Sequence, residues 1–257
     1  MALGISMILL TEDAQLSAAD IQGDLAARFP DLPASSDPAE DGNTLSFALG
    51  SADVILGKMP APIPWSELEG PCATSVLWPN AADTVKAHKE HIIVTVSGDS
   101  LDPIQLATLL TQATASVLAT TPAALGVYWG SATLVIPKNV FIDFATEVLP
   151  EGPPLHIWVD FRVGNTEDGQ SSLGFTQGME ALGHMEFEAL ESPETFADLR
   201  ERFMGLAGYV LENGPVIRDG DTIGEDANER IRVVYSDPAF GHKNKVMRLE
   251  YETPIPG

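Results

Sequence analysis

Basic residues are scarce in this chain: 14 Lys+Arg stand against 37 Asp+Glu, a formal net charge of −23 over 257 residues. The deficit is spread evenly, with residues 1–125 holding 4 Lys+Arg against 15 Asp+Glu and residues 126–257 holding 10 against 22. Neither half offers the clustered cations that a phosphate backbone demands, so no nucleic-acid partner is expected, and anionic membrane surfaces are disfavoured on the same ground. Cysteine is nearly absent. A lone Cys72 rules out an internal disulfide framework and a cysteine metal cluster, and it fits a reducing, cytoplasmic setting. No stretch reaches the roughly 18 consecutive apolar residues of a membrane span. The short apolar run near the N-terminus has no basic segment before it and reads as a first strand rather than a signal peptide. Motifs that announce chemistry are missing too: there is no Walker loop, no Rossmann GxGxxG after a strand, no GxSxG elbow and no HExxH. No cofactor is expected.

What is present is an ordinary globular pattern, 44% hydrophobic and long enough for one large domain or two packed halves. Residues 5–11 read as a strand. A helix over 17–29 follows, capped by Ser17 with Asp20 in its first turn. After a Pro- and Ser-rich loop over 30–43 come two strands, 44–49 and 52–59, joined at Gly50-Ser51. Further on, a helix over 80–89 capped by Asn80 precedes a strand over 91–97 and a long helix over 102–119. That last helix carries Ile104, Leu106, Leu109, Leu110, Val117 and Leu118 nearly all round, which predicts burial on more than one side. The order β-α-β-β-α-β plus an extra helix matches the split βαβ, ferredoxin-like pattern. The expected class is therefore α+β, with a ferredoxin-like N-terminal half (1–123) and a further α+β half packed against it (124–257). In that second half a helix over 138–148, strands over 155–163, 173–178 and 185–190, and terminal strands over 231–235 and 246–251 are expected. Between them, the clearest helix runs over 193–211, with Ser192 as cap and Pro193 at its first position.

The chain is organised around residues 59–79, which hold two of the four Trp, the only Cys and five Pro. The pattern is neither helical nor alternating, and Pro60, Pro62 and Pro64 predict an extended, polyproline-like strut. Trp65, Glu67, Glu69, Cys72 and Trp78 are candidate binding residues here. Aromatic rings beside carboxylates can line a pocket and raise a carboxylate pKa by desolvation; the alternative is that the rings anchor the segment while the acids face water. Cys72 as a nucleophile would need His88 or His91 beside it as a base. A second candidate lies at His184, Glu186 and Glu188. Strand alternation would put this imidazole and two carboxylates on one face, a donor set suited to a divalent metal, though any half-exposed strand alternates in the same way. Residues 219–226 carry carboxylates around a glycine, out of register with a calcium loop and better read as solvated. His242, Lys243, Lys245 and Arg248 form the only basic cluster, expected to pair with neighbouring acids rather than receive a phosphate.

The stretch PAPIPWSELEGPCATSVLWPNA resembles the corresponding segment of a bacterial group known as domain-of-unknown-function family 4261, and residues 182–192 with the following helix are similar to that family's C-terminal part. The resemblance would span most of the chain. It implies no established activity, cofactor or catalytic residue. Taken with the charge, it leaves two functional expectations. The first is a cytoplasmic, non-enzymatic protein-binding module of the immunity or accessory type, whose acidic surface attracts a basic protein partner. The second is a small-molecule or metal-dependent enzyme, with a site where residues 65–78 meet residues 184–188.

Overall fold

The computed structural model describes residues 2–224 and 230–251. The chain is α+β and divides into two compact units, Met1–Trp158 and Val159–Gly257. The first unit runs β1 (Ala2–Leu10), α1 (Ala18–Arg28), β2 (Ala39–Asp41), β3 (Thr44–Leu49), β4 (Ala52–Met59), α2 (Trp65–Thr74), α3 (Ala81–Val85), β5 (Glu90–Gly98), α4 (Pro103–Thr120), β6 (Ala124–Trp129), β7 (Leu134–Pro137), α5 (Lys138–Asp143) and α6 (Leu155–Trp158). The second has β8 (Asp160–Asn165), β9 (Ser172–Gln177), β10 (Phe187–Ser192), α7 (Phe196–Asn213), β11 (Thr222–Ile223), β12 (Ile231–Ser236) and β13 (Val246–Tyr251).

Seven antiparallel strands in the order β2-β3-β4-β5-β1-β6-β7 form the first sheet. The ferredoxin-like N-terminal half expected from the sequence is not confirmed. Strand β1 lies between β5 and β6, the hairpin β3–β4 sits outside β5, and β2 extends that edge. Element order alone leaves such placement open, because it does not say which strand inserts beside which. The sheet also continues past residue 123 through β6 and β7, which is why the first compact unit reaches Trp158.

Strand alternation gives this sheet two faces. One carries Ile8, Leu10, Val54, Leu56, Val94 and Val96, all fully buried. Helices α1 and α4 lie on it: an added Cβ on Gly4 would meet Leu110 at 3.2 Å, and the Ser6 and Thr114 hydroxyls bond at 2.7 Å. Helix α4 starts on a complete capping box, the Asp102 carboxylate accepting from the Gln105 N–H and the Gln105 side chain accepting from the Asp102 N–H. Ser17 caps α1 as expected. On the opposite face α2 and α3 cover one end, around Leu9 and Val135.

Helix α2 corrects the reading of residues 59–79 as wholly irregular. Residues 65–74 are helical with Pro71 inside; the three prolines before Trp65 masked the spacing of Leu68, Pro71 and Cys72, which forms a buried helical stripe. Asn80 adopts φ 60° with no side-chain cap, and α3 ends at Val85 rather than running on to 89. Beyond α5 the chain widens into a π-helical turn at Phe144–Val148, closed by the Leu149 N–H to the Phe144 carbonyl at 3.0 Å.

The second sheet has the order β11-β12-β13-β10-β9-β8. Helix α7 packs on β8 and β9 through Leu199, Phe203, Ala207 and Val210. Its cap is Thr195, accepting from the Asp198 N–H at 3.2 Å, whereas Ser192 closes β10. The strand expected over 155–163 opens instead with the helical turn α6, whose Trp158 Nε1 donates to the Thr111 hydroxyl at 2.8 Å.

Candidate functional site

The extended run before α2 is held by two imidazoles. The Ile63 N–H donates to His88 Nε2 at 2.8 Å. A backbone N–H only donates, so Nε2 carries no proton, and Nδ1 donates to the Val85 carbonyl at 2.5 Å. His91 Nδ1 donates to the Ala61 carbonyl at 2.7 Å. Both histidines thus clamp the proline run rather than serve Cys72 as a base. Cys72 is buried, and desolvation raises its thiol pKa, the opposite of an activated nucleophile. Trp65 is half-buried with the Lys86 ammonium 4.5 Å from its ring centroid. Trp78 lies over Gly126, where an added Cβ would meet the indole at 2.6 Å. Glu67 and Glu69 are exposed. The rings anchor the segment and the acids face solvent, so this stretch assembles no carboxylate pocket.

Burial lowers the His88 pKa, because protonating Nε2 forfeits the Ile63 bond and charges a desolvated ring. A folded-state pKa below the unfolded one means that the unfolded chain binds the extra proton. This contribution to stability is therefore fully present above about pH 6.5 and is lost as pH falls from there toward the lowered folded value. We expect denaturation followed by Trp emission to show wild type losing stability between pH 7 and pH 5. A His88→Leu variant should start about 1–3 kcal/mol less stable and show a shallower slope. Equal slopes would exclude His88 as the source.

In the second unit the sequence placed His184, Glu186 and Glu188 on one strand face. The structure separates them. Strand β10 begins only at Phe187, after a 3-10 turn at Glu180–Leu182 and Gly183 at φ 84°, so alternation does not extend back to 184. Both carboxylates are fully buried, against the expectation of a half-exposed face. Glu186 accepts from the Thr176 hydroxyl (2.7 Å) and from the N–H groups of Gly178 (2.7 Å) and Glu180 (3.1 Å). Alternation puts Thr176 on the α7 side of β9 with Gly174, whose added Cβ would meet Phe203 at 3.1 Å. Burial pushes the Glu186 carboxyl upward, opposed by these bonds. They make it a clip on the 178–182 turn.

Glu188 points to the other side. Its carboxylate accepts from the Ala239 N–H (3.1 Å to each oxygen), the Phe240 N–H (3.3 Å) and Arg248 Nη2 (3.2 Å). Register explains the gathering, since Arg162, Phe175, Glu188 and Arg248 sit opposite one another on β8, β9, β10 and β13. The loop after β12 folds over this row: Phe240 stacks on Phe175 with centroids 4.9 Å apart, and His242 meets the same ring edge-on at 5.5 Å. Arg248 also donates to the Asp237 carbonyl at 2.6 Å, so the best-placed cation of the basic cluster is engaged within its own unit.

His184 contributes to neither set. Its Nδ1 is buried without a hydrogen-bond partner, and burial lowers its pKa. Among the described residues no group of three or more His, Cys, Asp or Glu could hold a metal ion. In the acidic loop, Asp219 and Asp221 accept from the N–H groups of Tyr235 (2.8 Å) and Arg218 (2.7 Å); Glu225 and Asp226 lie outside the described residues. Residues 65–78 and 184–188 belong to different compact units. Sequence reasoning missed the Glu188–Arg248 pair, 60 residues apart; the signal was an arginine and a glutamate on strands that a parallel pairing brings into register.

No helix among the described residues is long and apolar enough to cross a membrane. No curated protein and no solved structure matches the chain. One family model does match, described as Domain of unknown function (DUF4261), over residues 175–250. The matched segment runs from Phe175 in β9 to Glu250 in β13 and includes Glu186, Glu188 and Arg248, while the Pro- and Trp-rich stretch lies outside it. The similarity to that domain of unknown function thus lies within the second unit.

Proposed function

We infer that this protein is a non-enzymatic protein-binding module, docking a basic partner on the open face of its first sheet. The observation that carries this reading is the uncovered end of the face opposite α1 and α4. There Leu3 is 54% exposed and Ile5 and Ile55 are each 40% exposed. They are neighbours by register, because Ile5 and Ile55 both pair with Thr95. Contiguous apolar surface of this kind marks interaction sites on otherwise soluble proteins.

Charge selects the partner. The only charged strand residues that alternation places on this face are Asp41 and Asp53, at its β2–β4 side, and both are exposed. With a net charge of −23, the face favours an apolar strip flanked by Lys and Arg and repels an acidic one. The test is capture by immobilised wild type and by Ile5→Glu/Ile55→Glu, each at low and high salt, with mass spectrometry. A basic protein held by wild type, weakened at least tenfold by the substitutions and by salt, supports the reading. A captured set indifferent to them overturns it. Both residues are already exposed, so the variant is expected to keep its fold.

A further inference from the structure

Register gives the open face of the first sheet a defined relief. Along its central strand, β5, the small side chains of Ser97 and Thr95 form a floor. Leu3 and Ile5 stand beside them on β1, and Ile55 and Met59 on β4, all four exposed. Between Ile55 and Met59 lies Gly57, where an added Cβ would meet nothing within 4 Å. The face is therefore a shallow trough with apolar banks, one of them notched. The banks are two strand spacings apart, about 10 Å. Asp53 to Met59 spans six residues of β4, about 20 Å of strand. Those are the width of one α-helix and the length of about 13 helical residues. At one end Met7 and Tyr128 carry the apolar surface on to the cluster beneath α2 and α3.

Other occupants fit this relief less well. An extended segment would join the sheet at an edge, and neither edge invites it. At β7 the Ser75 hydroxyl donates to the Val135 carbonyl at 3.0 Å. At the other edge β2 offers only three residues, of which Glu40 and Asp41 are charged. A covered edge and a short, charged one both discourage strand addition. A second copy would set a net charge of −23 against itself. A helix laid along β5 needs neither edge, and cations on one of its flanks would meet Asp41 and Asp53 on the β2–β4 side. Granted the reading of this face as a docking site, we propose that the partner presents an amphipathic α-helix of about 13 residues. Its aliphatic stripe enters the trough, and its Lys or Arg residues lie along the flank toward Asp41 and Asp53.

The probes are fluorescein-labelled peptides of about 14 residues: LKKLLKLLKKLLKL with helical periodicity, LKLKLKLKLKLKLK with strand periodicity, and LEELLELLEELLEL, helical and acidic. In anisotropy titrations the lysine helix should bind about tenfold or more tightly than the alternating peptide, the worth of one aliphatic side chain kept out of the trough. The acidic helix should not bind. Ile5→Glu/Ile55→Glu should weaken the lysine helix by about tenfold or more with the circular dichroism of the fold intact. That variant makes the protein more acidic, so general charge attraction would move the other way. Phe196→Glu/Tyr209→Glu, the same charge on two exposed residues of the second unit, should not weaken binding. Lysine-helix binding that survives Ile5→Glu/Ile55→Glu, equal affinity for the acidic helix, or no binding of any peptide would each overturn the proposal. If the alternating peptide binds best and Ile5→Glu/Ile55→Glu releases it, the face docks a strand: the helix inference falls and the docking reading stands. Capture of a basic lysate protein that ignores Ile5→Glu/Ile55→Glu removes the docking reading and the helix with it.

Discussion

Replacing Glu188 by Ala will cost the second unit about 3–5 kcal/mol, the cost of removing one partner from a buried ion pair. Glu188 is fully buried, and its carboxylate is the acceptor for two backbone N–H groups as well as for Arg248. Truncation leaves the guanidinium and both amides without that acceptor, each carrying its own desolvation cost. The loop after β12 should then lift from Phe175, because the Phe240 ring stack follows the amide that Glu188 holds. Glu188→Gln keeps the shape and one acceptor oxygen but turns an NH₂ toward donors, so it should cost less than Ala, about 1–3 kcal/mol.

The measurement must report on the second unit alone. All four Trp, at 65, 78, 129 and 158, lie in the first unit, so Trp emission does not follow the loss directly. Amide hydrogen exchange of β9, β10 and β13 does, and it should accelerate in Glu188→Ala by roughly two to three and a half orders of magnitude, the kinetic counterpart of that free energy. Protection within tenfold of wild type would show that Glu188 does not hold this sheet together.

Local structure was legible in the sequence wherever a local signal decided it. The 44–49 and 52–59 hairpin, with Gly50 at φ 61°, the Ser17 cap of α1 and the apolar face of α7 all follow from turn chemistry and periodicity. The strand order was not legible. Nothing in β1 itself says that it inserts between β5 and β6, since that depends on which faces helices α1, α2, α3 and α4 leave available. The polar centres failed for a related reason. Polar residues on a strand are read by default as a solvated face, but Glu186 and Glu188 are buried because a turn and a distant loop supply N–H donors to them. Those donors, Gly178, Glu180, Ala239 and Phe240, are backbone groups with no signature in the sequence. For the Pro- and Trp-rich stretch the sequence left a binding role and an anchoring role open, and its pattern, neither helical nor alternating, hid the helix over 65–74.

That anchoring has a sharp test at Gly126, where β6 passes beneath the Trp78 indole. An added Cβ there would lie 2.3 Å from the Ile136 carbonyl oxygen and 2.6 Å from Trp78 Cζ3, far inside van der Waals contact. Strand β6 has no freedom to retreat, being paired to β1 through Leu9 and to β7 through Pro137, so the indole and the β7 backbone must give way together. Overpacking on this scale costs about 3 kcal/mol. Gly126→Ala should lose that stability in denaturation followed by Trp emission, and its native emission should shift to the red as Trp78 is pushed toward water. Gly130→Ala, four residues on, meets nothing within 4 Å and should stay within about 0.5 kcal/mol of wild type. If the two variants prove equally stable, Trp78 is not seated on Gly126 and is free for the ligand-binding role that the sequence offered it. If only Gly126→Ala is destabilised, the indole is a structural pin that holds the segment before β5 against β6.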